Sequence, residues 1–276
     1  MRLGLLSLLS LSLLASSLGC GDDTQNPGGG GSGGSGGAPI GAGGVGGAGG
    51  APNCPVLDAD TVANLTFGSQ DFVQLQPNQS TDLEVGILEC CYVLTPVDAC
   101  INWSIDPPDN VIIAPDTGFL LVDANAVPGS EYTITADVGP GQRTLQTTLY
   151  VYSPEANPLV GLRHEIAQLP CGGGAELPPE VPIAELAFWA DGTFQVTWMP
   201  FELYVDYWGT YEFDYDAISA SGSITLTVTG GNYIPPDVDG AGTFDVDANG
   251  DLVLHDIWLG TPQDGVASAQ CGHRFE

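Results

Sequence analysis

The most regular alternation of apolar and polar residues in this chain lies between residues 185 and 216. The stretch holds eleven of the 23 aromatic residues of the sequence. Phe194, Val196 and Trp198 alternate with threonine and glutamine, which is the period of a strand with one buried face. The dipeptide Asp191-Gly192, just before this run, is a hairpin signal. We therefore place a β-sheet domain around this stretch.

The strand-like period continues from residue 157 to residue 276, with consecutive short runs separated by turn residues. Consecutive antiparallel strands hide their edges by closing, so the pattern predicts an up-and-down barrel. An eight-stranded barrel has room for side chains or for one small ligand. The predicted strands are Leu162–Leu169, Ile183–Trp189, Thr193–Met199, Leu203–Tyr207, Thr210–Tyr215, Ser223–Thr229, Gly242–Val246 with Leu252–Trp258, and Cys271–Phe275.

Residues 54–155 carry a separate set of runs, with proline, glycine and aspartate turn signals between them. Seven short strands at this spacing predict a β-sandwich. The predicted fold class is therefore all-β: a sandwich followed by a small antiparallel barrel, joined by a linker at residues 153–158. The sandwich strands are expected at Phe72–Leu75, Leu83–Leu88, Ile101–Ile105, Val111–Ala114, Phe119–Val122, Tyr132–Val138 and Thr144–Tyr152.

The first 53 residues are predicted to lie outside both domains. Residues 1–20 have the layout of a targeting signal: Arg2 precedes an apolar stretch, Leu5 to Leu14, that is too short to span a membrane. Residues 21–53 are mostly glycine, serine and alanine. They bury too little to offset the entropy of ordering, so they predict a disordered tether.

The end of the targeting signal, Leu18-Gly19-Cys20, resembles the processing site of bacterial lipoproteins, in which the cysteine becomes the lipidated N-terminus. Ser17 stands where that family has leucine, so the alternative is ordinary signal cleavage after Ser17, which leaves Cys20 unmodified. The resemblance implies a membrane partner, held through a lipid anchor. It also implies an exported protein of the bacterial cell envelope, at the outer membrane or cell surface.

Seven cysteines are an odd number for an exported chain, and lipidation of Cys20 leaves six for three disulfides. Cys171 and Cys271 bracket the barrel and are expected to pair. The sandwich contains the other four. A bond between its two adjacent cysteines would be strained, so each is expected to pair with one of the remaining two, with a zinc site as the alternative. These four are Cys54, Cys90, Cys91 and Cys100.

In the order and spacing of its strand-like runs and turns, the first domain resembles bacterial Ig-like domains of the group 2 type. The residues that carry it are Asn102-Trp-Ser104, the Asp-Thr-Gly turn at 116–118, Tyr132–Ala136 and the closing Leu149–Tyr152. The resemblance implies a spacer or adhesion unit, with Trp103 in its core.

The second domain resembles the lipocalin-like domains of bacterial secreted proteins, through Leu159–Gly161, the Phe188–Phe194 hairpin and Tyr207–Tyr211. The resemblance implies a ligand inside the barrel. The alternative is that aromatic residues at this period fill the core. The ligand-facing residues it implies are Trp198, Tyr204, Tyr207, Trp208 and Tyr211.

The charge balance narrows the choice of partners. Four arginines and no lysine oppose 34 acidic residues, for a net charge of −30. Such a chain repels nucleic acids and anionic lipid head groups, so we exclude nucleic acid as a partner. A small molecule, a glycan or another protein remains open as a partner.

One acidic segment matches the spacing of a calcium-binding loop, with oxygen-bearing residues at loop positions 1, 3 and 5, glycine at 6 and an acid at 12. The flanks are strand-like, and Asn249-Gly250 is a turn signal in its own right, so a plain hairpin is the alternative. Apart from this calcium site, no cofactor is predicted. The candidate ligands are Asp245, Asp247, Asn249, Asp251 and Asp256.

No catalytic motif stands out. The sequence has no Gly-x-Ser-x-Gly elbow, no His-Glu-x-x-His and no phosphate loop. His164, His255 and His273 are scattered, and acidic pairs such as Asp206 with Asp214 arise by chance in so acidic a chain. We therefore predict a non-enzymatic envelope protein with a binding or adhesion role, whose barrel binds a small apolar or glycan ligand. The alternatives are a structural protein with a solid barrel, a calcium-binding surface protein and an uncharacterised hydrolase.

Overall fold

The computed structural model of the chain describes residues 54–68, 72–89, 93–139, 141–201, 204–263, 265 and 270–276. They are nearly all β, with sandwich-like sheets followed by a nearly closed antiparallel barrel, which confirms the predicted fold class. Cys20, the glycine-rich stretch 21–53, Cys90 and Cys91 lie outside the described residues. Within the described part, no helix has the length and apolarity needed to cross a membrane.

The first domain consists of three small sheets around one apolar cluster, with strand orders β2-β10-β9-β6, β1-β4-β5 and β3-β8-β7. Neighbouring strands are antiparallel except β2, which runs parallel to β10. The elements are α1 (Ala59–Ala63), β1 (Leu65–Phe67), β2 (Phe72–Leu75), β3 (Ser80–Asp82), β4 (Val85–Leu88), β5 (Leu94–Pro96), β6 (Ile101–Asp106), β7 (Val111–Ile113), β8 (Phe119–Val122), β9 (Glu131–Val138) and β10 (Arg143–Val151).

Alternation along β9 explains the core of this domain. Tyr132, Ile134, Ala136 and Val138 are buried on one face of the strand, while Trp103 on β6 is buried in the same cluster. Gly118 has a positive φ of 73°, and a Cβ there would lie 2.8 Å from the Trp103 indole. The Asp-Thr-Gly turn therefore needs glycine both for its backbone conformation and for the tryptophan packed on it.

The second domain is one nine-stranded antiparallel sheet with the order β11-β13-β14-β15-β16-β17-β18-β19-β12. Its inward side chains form a second apolar cluster. The strands are β11 (Gly161–Arg163), β12 (Glu165–Pro170), β13 (Glu185–Phe188), β14 (Thr193–Thr197), β15 (Tyr207–Asp216), β16 (Ser221–Gly231), β17 (Ala241–Val246), β18 (Leu252–His255) and β19 (Gln270–Phe275).

The two edge strands of this sheet are halves of one bent segment. β11 pairs with β13, β12 pairs with β19, and His164 alone separates them in the chain. The His164 amide donates to the Glu276 carbonyl at 3.1 Å, and the Glu276 amide donates back to the His164 carbonyl at 3.0 Å. The segment thus contacts both neighbours and brings the sheet close to a full barrel.

Two sets of predicted strands need correction. The strand expected at Leu203–Tyr207 is wrong, because β15 begins at Tyr207 and runs unbroken to Asp216. Asp206 instead holds a turn: its amide donates to the Val196 carbonyl at 3.1 Å and its carboxylate accepts from the Trp198 amide at 2.8 Å. In the first domain, α1, β1, β3 and β5 were not predicted, since elements of three to five residues carry too little periodic signal.

Two disulfides join distant parts of the chain. Cys171 pairs with Cys271, as predicted, and links the end of β12 to β19 across 100 residues. Cys54 pairs with Cys100. The expectation that each of these would bond to Cys90 or Cys91 is therefore wrong, because the count of cysteines does not determine which ones the sheets bring together. Disulfides of this kind indicate an exported protein in an oxidising compartment.

The Cys171–Cys271 bond is expected to stabilise the barrel by restricting the unfolded chain. Replacing both cysteines by serine should lower the free energy of unfolding of the barrel by about 2 to 5 kcal/mol. Chemical denaturation followed by tryptophan fluorescence measures this, since four of the five tryptophans lie in the barrel. Replacing Cys54 and Cys100 is the matched control and should leave that transition in place; an equal shift in both variants would contradict the assignment.

Candidate functional site

Four long connections leave the barrel at the same end. The strand registers place Glu185 opposite Thr197, Tyr207 opposite Gly231 and Pro170 opposite Gln270. The connections β12–β13, β14–β15, β16–β17 and β18–β19 therefore leave the barrel at one end, which we call the open end. The opposite end carries short turns, because Phe188 faces Phe194 and Val246 faces Leu252 across hairpins.

A cavity of about 400 Å³ lies at the open end. Two tryptophans, Trp198 and Trp258, line it together with Gln168 and Gln270. Both tryptophans are more than nine-tenths buried. Its remaining lining residues are Glu165, Leu177, Pro178, Glu180, Val181, Ile183, Gly260, Thr261, Pro262, Gly265 and His273.

A buried carboxylate and imidazole form the floor of this cavity. Glu165 on β12 and His273 on β19 have side chains that are 0% and 1% exposed, and Oε1 of Glu165 lies 2.6 Å from Nδ1 of His273. The amide of Leu259 donates to Nε2 of His273 at 3.1 Å, so Nε2 carries a lone pair and the proton is on Nδ1. The amide of Ile183 donates to Oε2 of Glu165 at 2.8 Å. Every nitrogen and oxygen of the pair is therefore hydrogen-bonded.

Trp258 is fixed from two sides. Its ring stacks on the His273 imidazole, with centroids 4.7 Å apart and planes 14° from parallel. Its Nε1 donates to Oδ2 of Asp237 at 3.1 Å, and the Thr261 amide and hydroxyl donate to the same carboxylate at 3.0 and 2.6 Å. Burial raises the pKa of Asp237, but the hydrogen bonds from Thr261 and Trp258 outweigh it and hold the pKa below its ordinary value. The ionised carboxylate of Asp237 thus holds Trp258 and Thr261 in place in the cavity wall.

The five aromatic residues implied by the lipocalin resemblance fall in three different places. Trp198 lines the cavity. Tyr207 and Tyr211 are core residues whose hydroxyls donate to the carbonyls of Leu259 and Trp189, each at 2.7 Å. Burial raises the pKa of both, that of Tyr211 to about 12. The other two, Tyr204 and Trp208, are 38% and 44% exposed and are not among the residues that line this cavity.

The acidic loop proposed for calcium is the hairpin turn between β17 and β18. The Asp247 amide donates to the Asp251 carbonyl at 3.0 Å, and Gly250 adopts a positive φ of 94°. Nη1 of Arg274 lies 2.6 Å from Asp247 and 3.5 Å from Asp251. Hydrogen bonds from the Asn249 amide and from Arg274 lower the pKa of Asp247.

The other two candidate calcium ligands lie outside the turn itself. Asp245 contacts the His255 imidazole across the hairpin, and Asp256 follows β18 with a positive φ of 57°. Among the described residues, no group of three or more acidic, histidine or cysteine side chains is arranged to hold a metal ion. The segment therefore has the plain hairpin geometry that was the alternative interpretation.

Sequence reasoning missed the residues that define the cavity floor. His273 was noted only as one of three scattered histidines, and Glu165 and Trp258 were not singled out. A signal was present in the last strand, because His273 shares the inward parity of Phe275 and so had to be buried. Its partner was not foreseeable, since Glu165 is 108 residues away and meets it only when β12 pairs with β19.

Comparison with known proteins assigns no family to this chain. A scan against protein-family models finds no matching family, and a search of curated proteins finds no significant match. The cavity and the groups around it therefore provide the basis for a functional proposal.

The buried pair should be sensitive to a change of a single atom. Glu165→Gln replaces one oxygen by an NH₂ group, which must then face either the Ile183 N–H or the His273 Nδ1–H. Leaving one buried donor unpaired should lower the free energy of unfolding by about 1 to 3 kcal/mol. Denaturation monitored by circular dichroism measures this. The control is Glu212→Gln on the exposed face of β15, which should change little; equal stability of both variants would show that the pair does not hold the barrel.

Proposed function

We propose that this chain is a binding protein of the bacterial cell envelope, and that the cavity at the open end of the barrel takes up a small ligand with an apolar body. The observation that carries the proposal is the cavity of about 400 Å³ walled by Trp198 and Trp258. Small-molecule sites typically have volumes of about 300 to 1,000 Å³, mostly apolar walls and a few well-placed polar groups. The amides of Gln168 and Gln270 provide such groups here.

The distribution of side chains favours binding over a solid structural barrel. Towards the short-turn end, the interior is filled by large buried residues such as Phe188, Phe194 and Phe244. At the open end the lining side chains leave a space of about 400 Å³. The backbone amide of Trp198 donates to the Asp206 carboxylate, and the ring N–H of Trp258 donates to the Asp237 carboxylate. The walls are thus fixed in place without a ligand, as expected for a preformed site.

The occupancy of the buried polar groups favours binding over hydrolysis. A catalytic base needs a lone pair directed at the substrate, but Nε2 of His273 accepts from the Leu259 amide. The one hydroxyl among the lining residues of this cavity, that of Thr261, donates to Asp237. These groups are arranged to hold the walls, which supports a non-enzymatic role.

The domain order supports presentation of the cavity away from the membrane. In the turn between β13 and β14, the Ala190 amide donates to Oε1 of Gln74 in the first domain at 3.0 Å. This turn is at the barrel end opposite the cavity. In the proposal, lipidated Cys20 anchors the chain, residues 21–53 form a tether, the Ig-like sandwich is a spacer and the lipocalin-like barrel faces outwards. The two disulfides, typical of exported proteins, fit this location.

Filling the mouth of the cavity should abolish binding without unfolding the barrel. Val181 lines the cavity and is 42% exposed, so Val181→Trp adds bulk at the mouth with little strain. Titration with the neutral fluorescent probe N-phenyl-1-naphthylamine should show binding to residues 54–276 and a loss of at least about tenfold in affinity in the variant.

The matched control for this titration is Val127→Trp, at an exposed valine of the first domain. It should bind the probe as the unmodified protein does. Equal binding by all three proteins would place the probe elsewhere on the surface, and no binding by any of them would contradict the proposed function.

The lipid anchor is tested by fractionation of cells that express the full chain. The unmodified protein should sediment with membranes, and Cys20→Ala should move it to the soluble exported fraction, because the acyl chains are lost. Ser17→Leu, which restores the leucine of the lipoprotein pattern, is the control and should keep it on the membrane. Recovery of the chain without substitutions in the soluble fraction, with no acyl group on Cys20, would contradict the lipid anchor.

A further inference from the structure

The floor of the cavity carries a negative charge that no nearby cation balances. Both oxygens of Glu165 accept hydrogen bonds, from Ile183 and from His273, which is the arrangement of an ionised carboxylate. His273 accepts at Nε2 from the Leu259 amide and is therefore neutral. The pair as a whole thus keeps the full charge of the carboxylate, although its side chains are at most 1% exposed.

Further carboxylates surround the same space. Glu180 lines the cavity from the β12–β13 connection and is exposed. Asp237 lies behind the wall formed by Trp258 and Thr261 and accepts hydrogen bonds from both. Charges of one sign around a poorly hydrated recess reinforce each other and raise the local concentration of counter-ions.

None of the arginines that the structure describes lines the cavity. Arg143 donates to the Val62 carbonyl in the first domain. Arg163 donates to the Pro158 and Gly250 carbonyls, and Arg274 pairs with Glu176 and Asp247. The sequence has no lysine, so no lysine is available either.

The aromatic rings of the lining also favour a cationic ligand. Tryptophan walls, in turn, attract cations through their ring faces.

Building on the proposed function, we propose that the cavity selects an organic cation: an ammonium group attached to an apolar body. The apolar part lies against Trp198, Trp258 and Ile183. The ammonium group lies beside the exposed carboxylate of Glu180, with the charge of the buried Glu165 beneath it. An anion of the same shape is repelled, and a neutral molecule gains only the apolar contacts.

Three probes of similar size and different charge test this selection: octylammonium, octan-1-ol and octanoate, titrated by calorimetry into residues 54–276 at neutral pH. Octylammonium should bind roughly tenfold or more tightly than octan-1-ol, and octanoate should bind the weakest. Added salt should weaken octylammonium binding much more than octan-1-ol binding. Glu180→Gln should lower the affinity for octylammonium and leave that for octan-1-ol unchanged.

The matched control is Glu212→Gln, which removes one charge on the outer face of β15 and should affect neither probe. If octan-1-ol binds as tightly as octylammonium, the cavity binds ligands but does not select cations, and the inference fails while the proposed function stands. The same holds if N-phenyl-1-naphthylamine binds and octylammonium does not. If none of the probes binds, both the proposed function and the inference are overturned.

Discussion

The hydrogen bond between Glu165 and His273 is the interaction on which the barrel and its cavity depend. It joins β12 to β19, the two strands whose pairing brings the sheet close to closure. The outer atoms of the pair then fix two connections, through the amides of Ile183 and Leu259. Because Trp258 stacks on the same imidazole, the closure of the sheet and the position of a cavity wall depend on one buried pair.

The scarcity of basic side chains explains why carboxylates hold the open end in this way. With four arginines against 34 acidic residues, most carboxylates have no guanidinium or ammonium partner. Glu165, Asp206 and Asp237 instead accept hydrogen bonds from backbone amides, hydroxyls and ring N–H groups. Such bonds satisfy the carboxylate oxygens but leave the charge uncancelled, so each one that fixes a wall also adds to the negative potential around the cavity.

The predictable features of the fold are those that follow from the local alternation of apolar and polar residues. Phe194, Val196 and Trp198 alternate in the sequence and are buried together, and the disulfide between Cys171 and Cys271 follows from their positions around the barrel. The pairing of Cys54 with Cys100 and the contact of Glu165 with His273 were not predictable in this way, because both depend on strand registers between distant segments. The resemblance to lipocalin-like domains named Trp198, which lines the cavity, together with Tyr207 and Tyr211, which are core residues, and so did not distinguish the two kinds of position.

The difference between the two ends of the barrel follows from the lengths of its connections. Near the short hairpin turns aromatic rings contact each other, as Phe188 does with Phe194 and with Tyr211. Long connections at the other end require their own fixed points, and polar groups supply these because a loop backbone has amides to satisfy. The cavity is lined by residues of the connections β12–β13 and β18–β19 and of the strands beside them, together with Trp198 from the connection β14–β15. The site is therefore a consequence of how the open end is held together.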